Sequence, residues 1–207
     1  PRKNAQATPT TRPKGESKRG NTIIESMGVY LPDKEVSSKD LLASAKHALL
    51  YPLEKLTGIK SRRMAGETEF SIDLARKAIA SCMEFSKYRP ADIDLLICCN
   101  ISRYDGPDFD YSFEPSTANR IKAELGFSNA LCFDISNACA GMFTAISVAD
   151  SLLKAGLIRN AMVLSGEYIT HLTKTALQEI ESEHDDRLAC LTLGDSGAAI
   201  ILEEGPD

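Results

Sequence analysis

Apolar runs separated by short polar breaks organise the chain from residue 22 onward. Residues 22–31 read as a first strand, ended by Pro32-Asp33. Residues 37–50 read as a helix, with Ser37 as its cap and Asp40 three residues on. Residues 52–59 suit a short helical turn stopped at Gly58. Ile72, Ala75, Ile79 and Met83 fall on one face of a helix spanning 70–87. Pro90-Ala91-Asp92 then breaks the chain before a strand at 93–100, whose run Leu95-Leu96-Ile97-Cys98-Cys99 is apolar throughout. Such a strand is covered on both faces. Past an irregular stretch at 102–114, Pro115 opens a helix that runs to Leu125 and stops at Gly126. A strand at 131–135, a turn of small residues and a long amphipathic helix at 141–155 follow. An apolar strand at 160–165 and a helix at 170–183 come next. Two last strands, 188–193 and 198–202, are predicted to pair around Gly194-Asp195-Ser196-Gly197. This order predicts an α/β fold: a mixed, mostly parallel five-stranded sheet with helices on both faces and an antiparallel edge.

Composition agrees with a globular chain: 207 residues, 43% hydrophobic and 26% charged. That length suits one domain with a sizeable core, or one half of something larger. The net charge of −5 is unevenly spread. Residues 1–21 carry six basic side chains, one acid and three prolines with almost no apolar residues, so this basic tail is expected to be disordered. It lacks the apolar centre of a secretory signal and the spacing of a transit peptide. The acidic remainder argues against a nucleic-acid-binding domain. No apolar run reaches the length that spans a bilayer. The six cysteines and three histidines show no framework, C-x-x-C or zinc spacing, so reduced thiols in a cytoplasm, with no metal or bound cofactor, are the expectation.

The candidate chemistry centres on Ser136-Asn137-Ala138-Cys139-Ala140-Gly141, between a strand and a long helix. A sharp turn there places Cys139 at a helix N-terminus, where unpaired N–H groups and the helix dipole favour the thiolate, the reactive form. Spacing alone favours the reading of a small buried residue at a tight packing point over this one. Glu114, just ahead of Pro115-Ser116-Thr117, reads either as a dipole-stabilising carboxylate or as a functional acid. Gly194-Asp195-Ser196-Gly197 matches the serine turn of trypsin-like proteases, but those are all-β, and a glycine-bearing turn between strands is the reading adopted for it. His47 falls in an apparently amphipathic helix, and His171 and His184 are expected near the surface, unlinked to Cys139. Lys60, Arg62 and Arg63 read as an exposed basic turn.

The stretch from Phe133 to Met142 resembles the nucleophile segment of the thiolase superfamily, in its β-ketoacyl-acyl-carrier-protein synthase III branch. Thr57-Gly58-Ile59, Ala149-Asp150, Ala155-Gly156, Val163-Leu164-Ser165-Gly166-Glu167 and Leu193-Gly194-Asp195-Ser196-Gly197-Ala198-Ala199 resemble other segments of that family, in order, the last being its glycine-rich hairpin. The resemblance covers residues 22–203 and implies an acyltransferase whose Cys139 takes an acyl group from an acyl-CoA or acyl-carrier-protein thioester before carbon–carbon bond formation. Asn137-Ala138-Cys139 is similar to 3-hydroxy-3-methylglutaryl-CoA synthases and to the head-to-head condensing enzymes of olefin biosynthesis. Phe113-Glu114-Pro115-Ser116-Thr117-Ala118 also resembles the latter, which implies that Glu114 acts as a base in the neighbouring subunit of a dimer.

Family members consist of two similar halves, and the second carries a histidine and an asparagine that nothing in this chain resembles. Residues 22–207 are therefore expected to be a first half-domain: either a second polypeptide supplies the other half, in a homodimer or a heteromer, or the chain is a fragment of a longer protein. Condensation of acetyl groups on a CoA thioester, and a non-catalytic acyl-binding or scaffold subunit, stand as alternatives.

Overall fold

Leu95, Leu96, Ile97 and Cys98 are wholly buried, as an unbroken apolar run requires, and helices lie on both sides of them. The structure is a computed structural model that describes residues 20–104, 106 and 113–206. Its elements are β1 (Thr22–Tyr30), β2 (Glu35–Ser37), α1 (Ser38–Ala43), α2 (Leu53–Thr57), β3 (Ser61–Arg63), α3 (Ser71–Phe85), β4 (Leu95–Cys98), α4 (Thr117–Leu125), β5 (Leu131–Asp134), α5 (Gly141–Lys154), β6 (Asn160–Glu167), α6 (Thr170–Glu179) and β7 (Ser196–Glu204). Short 3-10 turns at Pro90–Asp92, Ala138–Ala140 and Asp186–Thr192 complete the path.

The main sheet has five strands in the order β1-β7-β6-β4-β5. β4 pairs in parallel with β5 and β6, while β7 pairs antiparallel with both β6 and β1. Four strands therefore run one way and β7 alone is reversed. Alternation along the strands sorts the core into two layers. Leu96, Cys98, Met162 and Leu164 pack with α3 and α4, whereas Leu95, Ile97, Ala161 and Val163 pack with Ala145, Ala149 and Leu153 of α5. A further cluster joins Leu41, Leu53, Met64, Leu177, Ile180 and Leu191 beneath the two-stranded β2–β3 sheet.

α3 lies directly on strand backbone. A Cβ on Gly28 would stand 2.1 Å from Cys82 N, one on Gly197 2.2 Å from Leu74 O, and one on Gly166 2.2 Å from Ser71 O. The three glycines sit on adjacent strands β1, β7 and β6, with Gly166 and Gly197 paired in register, and they follow α3 along its length.

Several boundaries differ from the sequence expectation, for identifiable reasons. The helix predicted over 37–50 closes at Ala43; Ser37 does cap it, accepting from Asp40 N, but also ends β2. The helix expected to open at Pro115 opens at Thr117, where Ser116 is the cap. The helix expected to reach 183 stops at Glu179. The predicted strand at 188–193 is a 3-10 turn, because Leu188 and Leu191 fall three residues apart and both enter the core beside α6. With that strand gone there is no hairpin at Gly194–Gly197, and β7 inserts between β1 and β6, leaving β1 as one edge and β5 as the other. Arg62, read as part of an exposed basic turn, is only 6% exposed and donates to Ser38 Oγ. Asn21, placed in the tail by the sequence, is fixed by its O accepting from Gly205 N, while 1–19 of the basic tail lie outside the described residues. So do 105 and 107–112 of the predicted irregular stretch.

The contact along α3 predicts that Gly166→Ala or Gly197→Ala costs about 3 kcal/mol or more, because backbone rather than a flexible side chain must give way. Urea unfolding checks this; a loss under about 1 kcal/mol contradicts the backbone contact.

Candidate active site

The carboxyl ends of β4, β5 and β6 meet the start of β7, the usual position of ligand sites in open α/β sheets. A cavity of about 230 Å³ lies there, lined among others by Cys99, Cys139, Met142, Ser165, Glu167 and Ser196. Cys139 sits in the 3-10 turn Ala138–Ala140, which runs straight into the 14-residue α5. The positive end of the α5 dipole therefore lies at the turn. Ala138 has φ 42°, a left-handed conformation that costs an alanine roughly 1–3 kcal/mol and that the surroundings must hold. Asn137 Nδ2 donates to Thr144 Oγ1 at 2.8 Å, and Thr144 Oγ1 donates to Ala140 O at 3.0 Å, tying the turn to the first turn of α5. Gly141 lets α5 approach β4: a Cβ there would stand 3.1 Å from Cys99 O. The result is an exposed Cys139, which excludes the tight-packing reading.

Three of the other thiols, Cys82, Cys98 and Cys99, are buried, whereas Cys132 and Cys190 are half-buried. Burial pushes the Cys99 thiol up to about 12 and the Cys98 thiol well above its ordinary range, and raises Cys82 as well. Cys99 Sγ donates to Leu164 O at 3.0 Å and forms wall rather than reagent.

Two carboxylates frame the site, and the sequence reading gave neither a role. Glu167 accepts from Ile101 N, Ser102 N, Ser102 Oγ and Ser165 Oγ at 2.6–3.0 Å, holding the chain after β4 against β6. Asp134, at the end of β5, accepts from Arg103 Nη1 at 2.5 Å and from Thr117 N and Ala118 N at 3.1 and 2.9 Å. An acid closing an apolar strand was the signal available for Asp134. Glu114 is exposed ahead of α4 and does not line the Cys139 cavity of its own chain. Asp195, in the supposed serine turn, is 1% exposed and accepts from Ala65 N, Ile169 N, Thr170 N and Thr170 Oγ1. Ser196 lines the cavity, where no histidine joins it among the described residues.

His47 lies past the end of α1 and is exposed, as is His184. His171 is half-buried against Tyr104, with ring centroids 4.5 Å apart, rather than at the surface. A larger recess of about 590 Å³ between α1 and α2 is lined by Lys39, Tyr51, Lys55 and Lys60 and shares no residue with the Cys139 cavity. The chemistry points to the smaller one, which holds the exposed thiol. No helix among the described residues is long and apolar enough to cross a membrane.

The family model for 3-oxoacyl-[acyl-carrier-protein] synthase III matches residues 133–207, which contain Cys139 and the ends of β5, β6 and β7 but not Glu114. The β-ketoacyl-[acyl-carrier-protein] synthase III of Sulfurimonas denitrificans is 34% identical over 184 residues. That alignment covers 89% of this chain and 51% of the relative. This is a thiolase-superfamily, synthase III-like chain. Among solved structures, cerulenin-bound OleA of Xanthomonas campestris is 25% identical, with a TM-score of 0.77 over 90% of this chain and 57% of that one. A priming β-ketosynthase of the R1128 polyketide pathway is 27% identical, with a TM-score of 0.73 over 90% and 51%. The synthase III-like chain thus spans about half the length of the curated relatives it matches.

Two outcomes follow for the synthase III-like chain. One equivalent of iodoacetamide at neutral pH should label Cys139 first, as peptide mass spectrometry will show; first labelling at Cys98 or Cys99 contradicts the burial argument. Burial holds His171 below the ordinary value of about 6.5, against the opposing Tyr168 carbonyl and Asp195. The unfolded chain therefore binds the proton more readily, and stability falls as pH drops through about 6.5. His171→Asn should flatten the urea midpoint between about pH 7.5 and 5; an unchanged slope removes His171 as the cause.

Proposed function

We propose that this chain is the nucleophile-bearing half of a condensing acyltransferase of the β-ketoacyl synthase III type. The observation that carries the reading is Cys139, exposed at a strained turn, opening on a cavity at the entrance of α5. The Cys139 thiolate adds to the carbonyl of an acyl-CoA or acyl-carrier-protein thioester. The carbonyl–sulfur bond to the carrier breaks, and the carrier takes up a proton and leaves as a thiol. The Cys139 N–H, at the helix entrance, is the candidate donor to the transient oxyanion. A reducing compartment such as the cytoplasm keeps the nucleophile as a thiol.

In the second step Glu114 of a neighbouring subunit removes an α-proton from a second acyl thioester. The carbanion attacks the acyl group on Cys139, a carbon–carbon bond forms, and the acyl–sulfur bond breaks to restore the thiolate. The exposure of Glu114, outside its own chain's cavity, supports action in a neighbour. Lys39, Lys55 and Lys60 around the α1–α2 recess are candidates to meet carrier phosphates.

Apolar side chains left in the open support a second thiolase half as partner. Ile24, Met27 and Val29 of β1, on the face opposite α3, are 52–63% exposed, and Phe143 of α5 is 75% exposed. Such a surface is covered in a working assembly. The second half supplies the histidine and asparagine in this reading.

Intact mass after incubation with acyl-CoA tests the first step: the chain with a companion half gains one acyl group, and Cys139→Ala gains none. Equal turnover by the lone chain refutes the need for a second half. Glu114→Gln should spare acylation and stop condensation; normal product formation sinks its role as base.

A further inference from the structure

Both ends of the segment that presents Glu114 are fastened to one carboxylate. Asp134, with its side chain 9% exposed, takes Arg103 Nη1 at 2.5 Å on the incoming side. On the outgoing side it takes the first two N–H groups of α4, from Thr117 and Ala118. Arg103, 7% exposed, also lies over the ring of Phe113, the residue next to Glu114, with its guanidinium carbon 5.4 Å from the centroid. The Arg103 cation is thus shared between a buried anion at the end of β5 and the aromatic neighbour of Glu114. The same strand end leads directly into the turn of Cys139. One carboxylate therefore takes donors from both sides of Glu114.

We infer that Arg103 and Asp134 are positioning residues for Glu114, holding its carboxylate at the place and angle from which it serves the neighbouring subunit's reaction. This rests on the reading of Glu114 as the base of the second step. Neither residue touches substrate in this scheme. Their effect belongs to condensation and leaves acyl transfer to Cys139 alone. Lysine at 103 keeps the charge but loses the planar guanidinium that both pairs with the carboxylate and stacks on Phe113.

The test uses the protein assembled with its second half and reads the two steps separately, acylation by intact mass and condensation by product formation. Arg103→Met should leave acylation within about threefold while slowing condensation on the order of 10²-fold, the scale of an ångström's misplacement. Arg103→Lys should fall between. Phe113→Ala, at a residue 65% exposed and outside the core, should slow condensation about tenfold without risk to folding. On the residual condensation left in a Glu114→Gln background, Arg103→Met should cost nothing further. Hydrogen exchange in residues 113–118 should quicken in Arg103→Met and Phe113→Ala but not in Glu114→Gln. Unchanged exchange there overturns the fastening, as does an equal loss of both steps or an Arg103 effect that persists without Glu114. Normal condensation by Glu114→Gln overturns instead the reading of the base, and hydrogen exchange then decides the fastening independently.

Discussion

The contact of α3 with bare strand backbone is the constraint from which the rest of the layout follows. A helix beside a sheet normally stands off by the thickness of two side-chain layers. Here Gly28, Gly197 and Gly166 remove one layer, and Ala75, Ala78 and Cys82 thin the other. α3 thereby ties together β1, β7 and β6, of which β7 runs against its neighbours. Glu167, at the end of β6, and Ser196, at the start of β7, are brought to one level. That level is the floor of the cavity under Cys139.

Above this floor the connections are held by carboxylates rather than by apolar packing. Asp134, Glu167 and Asp195 each accept several hydrogen bonds, mostly from backbone N–H groups of segments distant in sequence. A backbone donor buried without a partner is costly, so a carboxylate that satisfies two or three of them at once organises a turn. The three divide the work: Glu167 secures the exit of β4, Asp195 secures the entrance of α6 beside the strand that Arg63 ends, and Asp134 secures the entrance of α4. None of these acids is left free for proton transfer by that arrangement.

Where local pattern and tertiary role coincide, the elements can be read from the residues. β4 is apolar throughout because both faces are covered, and α3 carries a clean helical stripe because one face meets the sheet. Gly58 and Gly126 end their helices in the left-handed conformation that their position suggests. Cys139 could be singled out by its place between a strand and a helix and by a family resemblance. The failures are equally physical. β2 and β3 have three residues each and little apolar content, so their pairing is a tertiary event with no period to read. The run at 188–193 is apolar enough for a strand, yet Leu188 and Leu191 are spaced for a helical turn that packs against α6. The link between Arg103 and Asp134 spans 31 residues and no local pattern announces it. Gly197 looked like a turn residue and proved to be a strand residue whose missing side chain admits α3.

What distinguishes Cys139 from the other thiols is its setting, and the setting is built from opposed demands. Cys98 ends a strand that the fold must bury and Cys99 follows it directly, so desolvation penalises both thiolates. Cys139 follows the neighbouring strand β5 by only a few residues, yet the left-handed Ala138 throws it outward instead of letting the strand continue into the core. A strained residue persists only where its neighbours over-determine it. Here they are Asn137 and Thr144, which bind the turn to α5, and Gly141, which brings the helix end against Cys99 O. Relief of the strain at Ala138 gives up the exposure of the thiol, because the backbone torsion that costs energy is the one that precedes the exposed Cys139.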